Sequence, residues 1–163
     1  MRRVPSRPEP DVLLSQLLTP ERIKIPLVSR TKDELLRELV ELVGRSGAVS
    51  DLDDVLRAVR EREEVLSTGI GSGIAIPHGR SASVPELVLV AGVAQQPVDF
   101  DALDGQPVWL FFLLVGPEAA AGQHVKVLSR IARLVRRDAF REQLLQAAGP
   151  AEFYARLQEA ELP

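Results

Sequence analysis

The sequence of 163 residues lacks cysteine, and aromatic residues make up only 4% of it. The absence of cysteine excludes disulfides, thiolate nucleophiles, zinc fingers and iron–sulfur ligation, and it is typical of proteins in a reducing compartment. The core is therefore predicted to consist mainly of Leu, Val, Ile and Ala side chains. No apolar run approaches the roughly 18 residues that a membrane-spanning helix needs. We therefore expect no direct insertion into a membrane and a cytoplasmic location.

The sequence also lacks an excess of positive charge, because it contains 20 Lys and Arg residues and 23 Asp and Glu residues, which give a net charge of −3. This balance counts against a nucleic acid partner. The sequence contains only two histidines, His78 and His124. A metal site at these two residues would need carboxylates as its remaining ligands, and neither histidine lies in a His-x-x-x-His or Glu-x-x-His pattern. We therefore predict no metal and no cofactor, and a metalloenzyme or a hydrolase is the least favoured alternative.

Hydrophobic periodicity predicts strands that alternate with helices along most of the chain. The predicted strands span residues 22–28, 74–76, 87–94 and 108–115, and the predicted helices span residues 12–18, 31–43, 51–64, 124–137, 138–148 and 151–160. The length fits one domain over residues 11–163, and residues 1–10 form a proline-rich segment that is predicted to be a flexible tail. The predicted fold is α/β, a single layered domain with a mixed, mostly buried β-sheet and helices on both faces.

Turn and cap residues predict where several of these elements end. Thr31 and Glu34 have the spacing of a capping box, in which each side chain bonds the backbone of the other residue. Ser50 and Asp138 are the predicted N-caps of two later helices. Pro26 predicts that the first strand lies at an edge of the sheet or ends early, since proline cannot donate to a strand ladder.

The most informative stretch, residues 67–80, joins a charged helical pattern to the strand-rich half of the chain. It contains three alternating glycines and three hydroxyl residues, and His78 lies two positions before its end. Pro77 is predicted to stop the preceding strand, so that His78 lies at a strand end beside a small loop rich in donors. An imidazole is a nucleophile that titrates near neutral pH, and this setting favours chemistry on an anionic group.

Better known glycine motifs do not describe this loop. Ile74 stands where the dinucleotide-binding fingerprint needs its third glycine, and no Lys-Ser or Lys-Thr pair follows as the Walker motif requires. Ser72 lacks the Gly-x-Ser-x-Gly spacing of a hydrolase nucleophile. A nucleophilic serine is therefore disfavoured.

The chain resembles the type-2 enzyme IIA proteins of the phosphoenolpyruvate-dependent phosphotransferase system, from about Val12 to Ala160. Three blocks carry the resemblance, in the order and spacing of that family: Glu61-Arg62-Glu63-x-x-x-Ser67-Thr68-Gly69-Ile70-Gly71-x-Gly73-Ile74-Ala75-Ile76-Pro77-His78-Gly79, Phe100-Asp101-x-x-Asp104-x-x-Pro107-Val108, and His124-x-x-x-Leu128-Ser129-x-Ile131-Ala132. The form of the first block is most similar to the nitrogen-regulatory branch, although the fructose and mannitol branches share its histidine.

The resemblance implies that His78 is phosphorylated, through its Nε2 atom, by the phosphohistidine of a small histidine-containing phosphocarrier protein. By the same resemblance, Arg62 clamps the phosphoryl oxygens and His124 stabilises the phosphoryl group. Ser67 and Thr68 are candidate hydroxyl donors near the loop. The implied downstream partner is either a regulated protein or a component of a sugar transporter.

Each residue also has an ordinary structural explanation. His78 could simply bond a backbone carbonyl at a strand end, His124 could be a core histidine, and Arg62 could belong to the solvated charged surface of a helix. Two alternatives to a regulatory phosphoryl carrier therefore remain. The first is a fructose- or mannitol-type subunit that passes phosphate to a transporter, and the second is a protein-binding module that is never phosphorylated.

Overall fold

Six strands form one mixed sheet in the computed structural model, which describes residues 12–163. The strands are β1 (Ile23–Leu27), β2 (Gly69–Gly71), β3 (Ile74–Ala75), β4 (His78–Arg80), β5 (Val88–Val98) and β6 (Val108–Gly116). Their order is β1-β5-β6-β3-β2, and β4 pairs with β6. β5 and β6 are antiparallel, whereas β1 runs parallel to β5, and both β3 and β4 run parallel to β6. The predicted mixed sheet is confirmed, and β1, the strand that contains Pro26, lies at an edge as expected. The predicted tail falls outside the described residues.

Six α-helices among the described residues cover the two faces of the sheet. They are α1 (Leu14–Leu17), α2 (Lys32–Gly44), α3 (Leu52–Val65), α4 (Ala121–Val135), α5 (Asp138–Leu145) and α6 (Pro150–Ala160). Side chains of α2 and α3 form one buried cluster, and side chains of α1, α4, α5 and α6 form the other. Alternate residues of the long strands point to opposite clusters, as Phe111 and Phe112 do on β6. Within residues 12–163, no helix is both long enough and apolar enough to span a membrane.

The N-terminus of α2 shows half of the predicted capping box. The Thr31 hydroxyl accepts the amide of Glu34 at 3.3 Å, as predicted. The carboxylate of Glu34 lies 3.5 Å from the amide of Arg30 instead of bonding Thr31. The reciprocal bond of the capping box was therefore a wrong prediction.

The predicted N-caps of α3 and α5 are also wrong, each by one residue. Asp51 caps α3, because its carboxylate accepts two backbone amides of the first turn at 3.0 and 3.2 Å. Ser50 instead pairs through its backbone amide with the carbonyl of Ser83. Asp138 is the first residue of α5, where a carboxylate still interacts favourably with the helix dipole.

The glycine-rich stretch is a β-hairpin, and only part of it is the predicted loop. β2 and β3 are antiparallel and are joined by Ser72 and Gly73, whose φ angles are 57° and 76°. Two successive positive φ angles are what a type I′ hairpin turn requires, and this requirement explains the glycine at the second position.

β3 ends at Ala75, as the prediction of a stop at Pro77 implies, but pairing with β6 continues beyond Pro77. The carbonyl of Pro77 accepts the amide of Leu114 on β6 at 3.1 Å, a bond that does not need the missing N–H of proline. Pairing with β6 then resumes in β4, where His78 is opposite Leu114. His78 therefore follows the end of β3, as predicted, and it also begins a further strand, β4, that was not predicted.

Gly79 allows α3 to approach β4 very closely. A Cβ atom at this position would lie 3.1 Å from the backbone nitrogen of Val59 and 3.2 Å from the backbone carbon of Ala58. Both atoms belong to the main chain of α3 and cannot rotate away. The absence of a side chain at Gly79 therefore sets the distance between α3 and the strand that carries His78.

We expect the Gly79→Ala substitution to lower the free energy of unfolding by about 1–3 kcal/mol, because overpacking against a helix backbone forces the helix to move. Chemical denaturation of the purified variants measures this loss. Gly122→Ala is the matched control, since a Cβ there has no neighbour within 4 Å among the described residues. Equal stability of the two variants would contradict the close approach of α3 and β4.

Candidate active site

Three elements meet at a cleft of about 290 Å³ that contains both histidines of the chain. α3 contributes Arg62, β4 contributes His78 and Arg80, and α4 contributes His124. Apolar side chains of α4 complete the wall. The structure thus brings together three of the five residues singled out in the sequence, although 62 positions separate the first from the last in the chain.

The imidazole of His78 is held so that one nitrogen stays free. Its Nδ1 atom lies 2.9 Å from the carbonyl oxygen of Ile76. Since a carbonyl can only accept a hydrogen bond, Nδ1 is the protonated nitrogen of the neutral ring. The lone pair is then on Nε2, which is the nucleophilic atom.

The environment of His78 keeps the ring neutral. Its pKa is lowered from the ordinary value of 6.5, first by burial and then by the positive charges of Arg62 and Arg80. The bond to the Ile76 carbonyl and the charge of Glu63 act in the opposite direction without reversing the shift. His78 is therefore available as an uncharged nucleophile at neutral pH.

His124 is a buried imidazole without a hydrogen-bond partner among the described residues. The residue is 2% exposed, and neither of its ring nitrogens has an acceptor or a donor there. Burial lowers its pKa to about 4, with further contributions from His78 and Arg80. An unpaired buried polar group is costly and usually has a functional reason.

The two imidazoles lie edge to face, with ring centroids 5.6 Å apart and an angle of 64° between the planes. His124 is the fourth residue of α4, which begins three residues earlier than predicted. The ring therefore lies in the first helical turn, where the partial positive charge of the helix end favours an anion. A negatively charged group beside His78 would give His124 the partner that it lacks.

Two arginines add positive charge to the cleft. Arg62 lies in the last turn of α3, where its Nη1 atom donates to the carbonyl of Leu66 at 3.0 Å. Arg80 pairs through Nη1 with the Glu118 carboxylate at 3.1 Å. The sequence did not reveal Arg80 as a site residue. Its position two residues after His78 places both side chains on one face of β4, but this signal becomes visible only once the strand is known.

The hydroxyls of Ser67 and Thr68 do not line this cleft. Ser67 donates to the carbonyl of Phe100 at 2.8 Å, and Thr68 donates to the buried carboxylate of Glu63 at 2.5 Å. Glu63 also accepts the amide of Thr68 at 3.0 Å and pairs with Lys32 at 2.9 Å. The structure therefore shows both hydroxyls in bonds that fix the connection from α3 to β2.

The histidine cleft offers no metal ligand set. Within the part of the chain that the structure describes, no group of three or more His, Cys, Asp or Glu residues could hold a metal ion. The chemistry that the cleft supports is instead the binding of an anionic group by an imidazole nucleophile, a second imidazole and two guanidinium groups.

Comparison with known proteins identifies the family of the chain. The sequence profile of the family described as "Phosphoenolpyruvate-dependent sugar phosphotransferase system, EIIA 2" matches residues 16–160. The chain belongs to this family. As an EIIA-2 protein it is 36% identical to a nitrogen regulatory protein of Pseudomonas aeruginosa over 88% of its own length and 93% of that protein.

Relatives of this EIIA-2 protein include both regulatory and transport proteins. The fructose-specific EIIABC component of the phosphotransferase system in Bacillus subtilis is 38% identical over 82% of the chain, and the chain spans only 21% of that larger protein. The crystal structure of the nitrogen regulatory protein IIA-Ntr from Neisseria meningitidis has a TM-score of 0.82 and 36% identity, covering 88% of this chain and 97% of that one. The fold and the family are therefore those that the three sequence blocks implied.

Proposed function

We propose that this EIIA-2 protein is a phosphoryl carrier that accepts a phosphoryl group on Nε2 of His78 from the phosphohistidine of a histidine-containing phosphocarrier protein. The observation that carries the proposal is the hydrogen bond of Nδ1 to the Ile76 carbonyl, which leaves the Nε2 lone pair free. The unpaired imidazole of His124 beside it supports the same conclusion.

The transfer follows from the positions of these groups. The lone pair of His78 Nε2 attacks the phosphorus atom in line with the leaving nitrogen, and the electrons of the broken N–P bond return to the imidazole of the donor. No general base is needed, because Nε2 carries no proton. The Nδ1–H group stays bonded to the Ile76 carbonyl, which stabilises the positive charge that develops on the phosphorylated ring.

His124 and Arg62 have separate parts in this proposal. In the transition state the negative charge lies mainly on the three equatorial oxygens, so donors in the cleft lower the barrier. The guanidinium of Arg62 offers a planar set of donors, and His124 offers one ring N–H. A phosphoryl group next to His124 also raises the pKa of that ring, since a negative neighbour favours its charged form.

The test is the intact mass of the protein after incubation with phosphoenolpyruvate, enzyme I and the phosphocarrier. We expect a gain of one phosphoryl group, which is lost again in acid because phosphohistidine is acid-labile. An unmodified protein beside a donor that phosphorylates another EIIA protein would contradict the proposal. The protein-binding module without phosphorylation would then be the better description.

The pKa of His78 gives the proposal a pH dependence. Because burial lowers this pKa below 6.5, the neutral nucleophile persists at lower pH than in a free histidine. We expect an NMR titration of the His78 ring protons to show a midpoint below pH 6.5, and the phosphorylation rate to fall only below that midpoint. His124, titrated in the same spectra, should show a midpoint near pH 4. A His78 midpoint at or above 6.5 would show that the ring is not desolvated as described.

For the downstream role, a nitrogen-type regulatory protein in the cytoplasm is the first candidate. It is supported by the P. aeruginosa relative, whose length the chain nearly covers, and by the IIA-Ntr structure. The fructose-specific relative supports a second candidate, a subunit that passes phosphate to a transporter component. The phosphorylated protein incubated with a fructose-type EIIB domain separates the two, since only a transport subunit should transfer its phosphoryl group at a rate comparable to its own phosphorylation.

A further inference from the structure

Arg80 is the one cleft residue whose charge acts on both histidines. It follows His78 by two positions on β4 and lines the same cleft as His124. Its positive charge contributes to the lowered pKa of His78 and to that of His124, whereas Arg62 contributes only to the first. Arg80 therefore shares the cleft with both rings and is near enough to act on the charge of each.

In the unphosphorylated protein, the guanidinium of Arg80 is engaged elsewhere. Its Nη1 atom lies 3.1 Å from the Glu118 carboxylate, and the two side chains are 37% and 80% exposed. Glu118 begins a short 3-10 turn, Glu118–Ala120, which leads directly into α4 and thus to His124. Ion pairs exposed to this degree are weak, because water and salt screen them.

A phosphoryl group on His78 would compete with Glu118 for this guanidinium. It carries about two negative charges and three acceptor oxygens, against one charge on the carboxylate. The planar fork of Arg also matches the geometry of phosphate oxygens, so it can donate two parallel hydrogen bonds. The cleft already places the guanidinium and the imidazole on the same wall.

We propose that Arg80 exchanges its ion pair with Glu118 for hydrogen bonds to the phosphoryl oxygens when His78 is phosphorylated. The inference rests on the proposed phosphorylation of His78 and assigns to that reaction a phosphate-contacting residue. It also identifies Glu118 as a resting partner that competes with the phosphoryl group. Phosphorylation releases the Glu118 carboxylate at the entrance to α4, so the charge pattern at the rim of the cleft differs between the two states.

Variants that break the ion pair from its two ends give the sharpest test. Arg80→Gln removes the phosphate donor, and we expect the phosphorylation rate and the lifetime of the phosphohistidine each to fall by about 10- to 100-fold. Glu118→Gln frees Arg80 from its competitor, so we expect a rate and a lifetime equal to or greater than those of the unsubstituted protein. Arg80→Lys keeps the positive charge but loses the planar guanidinium. Its phosphorylation rate and phosphohistidine lifetime should lie between those of Arg80→Gln and those of the unsubstituted protein.

A purely structural ion pair gives a different pattern, because either substitution would then have the same effect. Equal losses in Arg80→Gln and Glu118→Gln, or a normal rate and lifetime in Arg80→Gln, would overturn the inference. Arg60→Gln is the matched control, since the Arg60–Asp33 ion pair has similar exposures of 32% and 67% and lies outside the histidine cleft. Circular dichroism confirms that each variant is folded.

NMR of the arginine side chains provides a readout that does not depend on rates. We expect the Nε–H signal of Arg80 to shift on phosphorylation in the unsubstituted protein and the signal of Arg60 to stay in place. If the protein is not phosphorylated at all, both the proposed function and this inference are contradicted. If the protein is phosphorylated but the Arg80 signal does not shift, only the inference is contradicted.

Discussion

A His78→Gln variant is expected to form no acid-labile phosphoprotein, a loss of more than about 10³-fold in the rate of phosphorylation, because the other imidazole of the cleft, His124, is buried away from an incoming donor protein. Glutamine is close to histidine in size, and its amide can still donate a hydrogen bond to the Ile76 carbonyl that His78 Nδ1 contacts. The variant should therefore fold normally and lack only the nucleophile. The intact mass after incubation with the donor measures the loss.

NMR of the phosphorylated protein shows which nitrogen of His78 reacts. ¹⁵N NMR of the phosphorylated, unsubstituted protein should show the phosphorus on Nε2 and the proton on Nδ1, because the Ile76 carbonyl fixes that tautomer. A phosphoryl group on Nδ1 would mean that the ring rotates before it reacts. A His78→Gln protein that still gains one acid-labile phosphoryl group would move the reactive residue elsewhere, with His124 as the first residue to examine.

The second large effect is expected at His124. Replacing it with Gln should slow phosphorylation by about 10²-fold, which is the loss typical of removing one preorganised donor to a transition state. The reaction should remain measurable, since His78 and both arginines are intact. A rapid-quench assay at a saturating concentration of donor gives the rate of the chemical step. If the variant changes only the affinity for the donor, a role of His124 in the chemical step is contradicted.

Stability against pH gives an independent check on His124. Its pKa in the folded protein, about 4, is below the ordinary value of 6.5 that the unfolded chain has. The unfolded state therefore binds the proton more tightly, and stability that is fully present above pH 6.5 is lost as the pH falls towards 4. The His124→Gln variant should lack this contribution, so its unfolding free energy should decline less over that range. An identical decline would show that His124 is not buried in a neutral form.

The sequence allowed the central part of the site to be predicted, because chemistry and spacing coincide there. His78, Arg62 and His124 are recognisable from the residue types and the order of three blocks, and the structure places all three around one cleft. Their roles remain predictions until the variants are measured. The α/β fold was equally accessible, since two apolar runs, now parts of β5 and β6, have the length and the β-branched content that favour buried strands over helices.

Other features of the site depend on hydrogen-bond partners that are distant in the chain, and no local sequence pattern predicts them. Ser67 and Thr68 resemble loop donors, but the carbonyl of Phe100 and the carboxylate of Glu63 already accept their hydroxyl protons. Arg80 belongs to a three-residue strand, β4, that no apolar pattern in the sequence predicted. In both cases tertiary hydrogen bonds outweigh the local preference of the residue. The partners in these bonds cannot be predicted from the neighbouring sequence.

The two unpaired nitrogens of His124 carry a cost in the resting protein that the proposed phosphorylated state would remove. A leucine of similar volume would fill the same space without two unsatisfied nitrogens, and a resting protein judged by its durability alone would be better with it. Under the proposed function the histidine has an explanation, because the phosphoryl group on His78 would give its ring N–H an acceptor. The cost of burying this imidazole in the resting protein would then be offset by the hydrogen bond that it gains in the phosphorylated state.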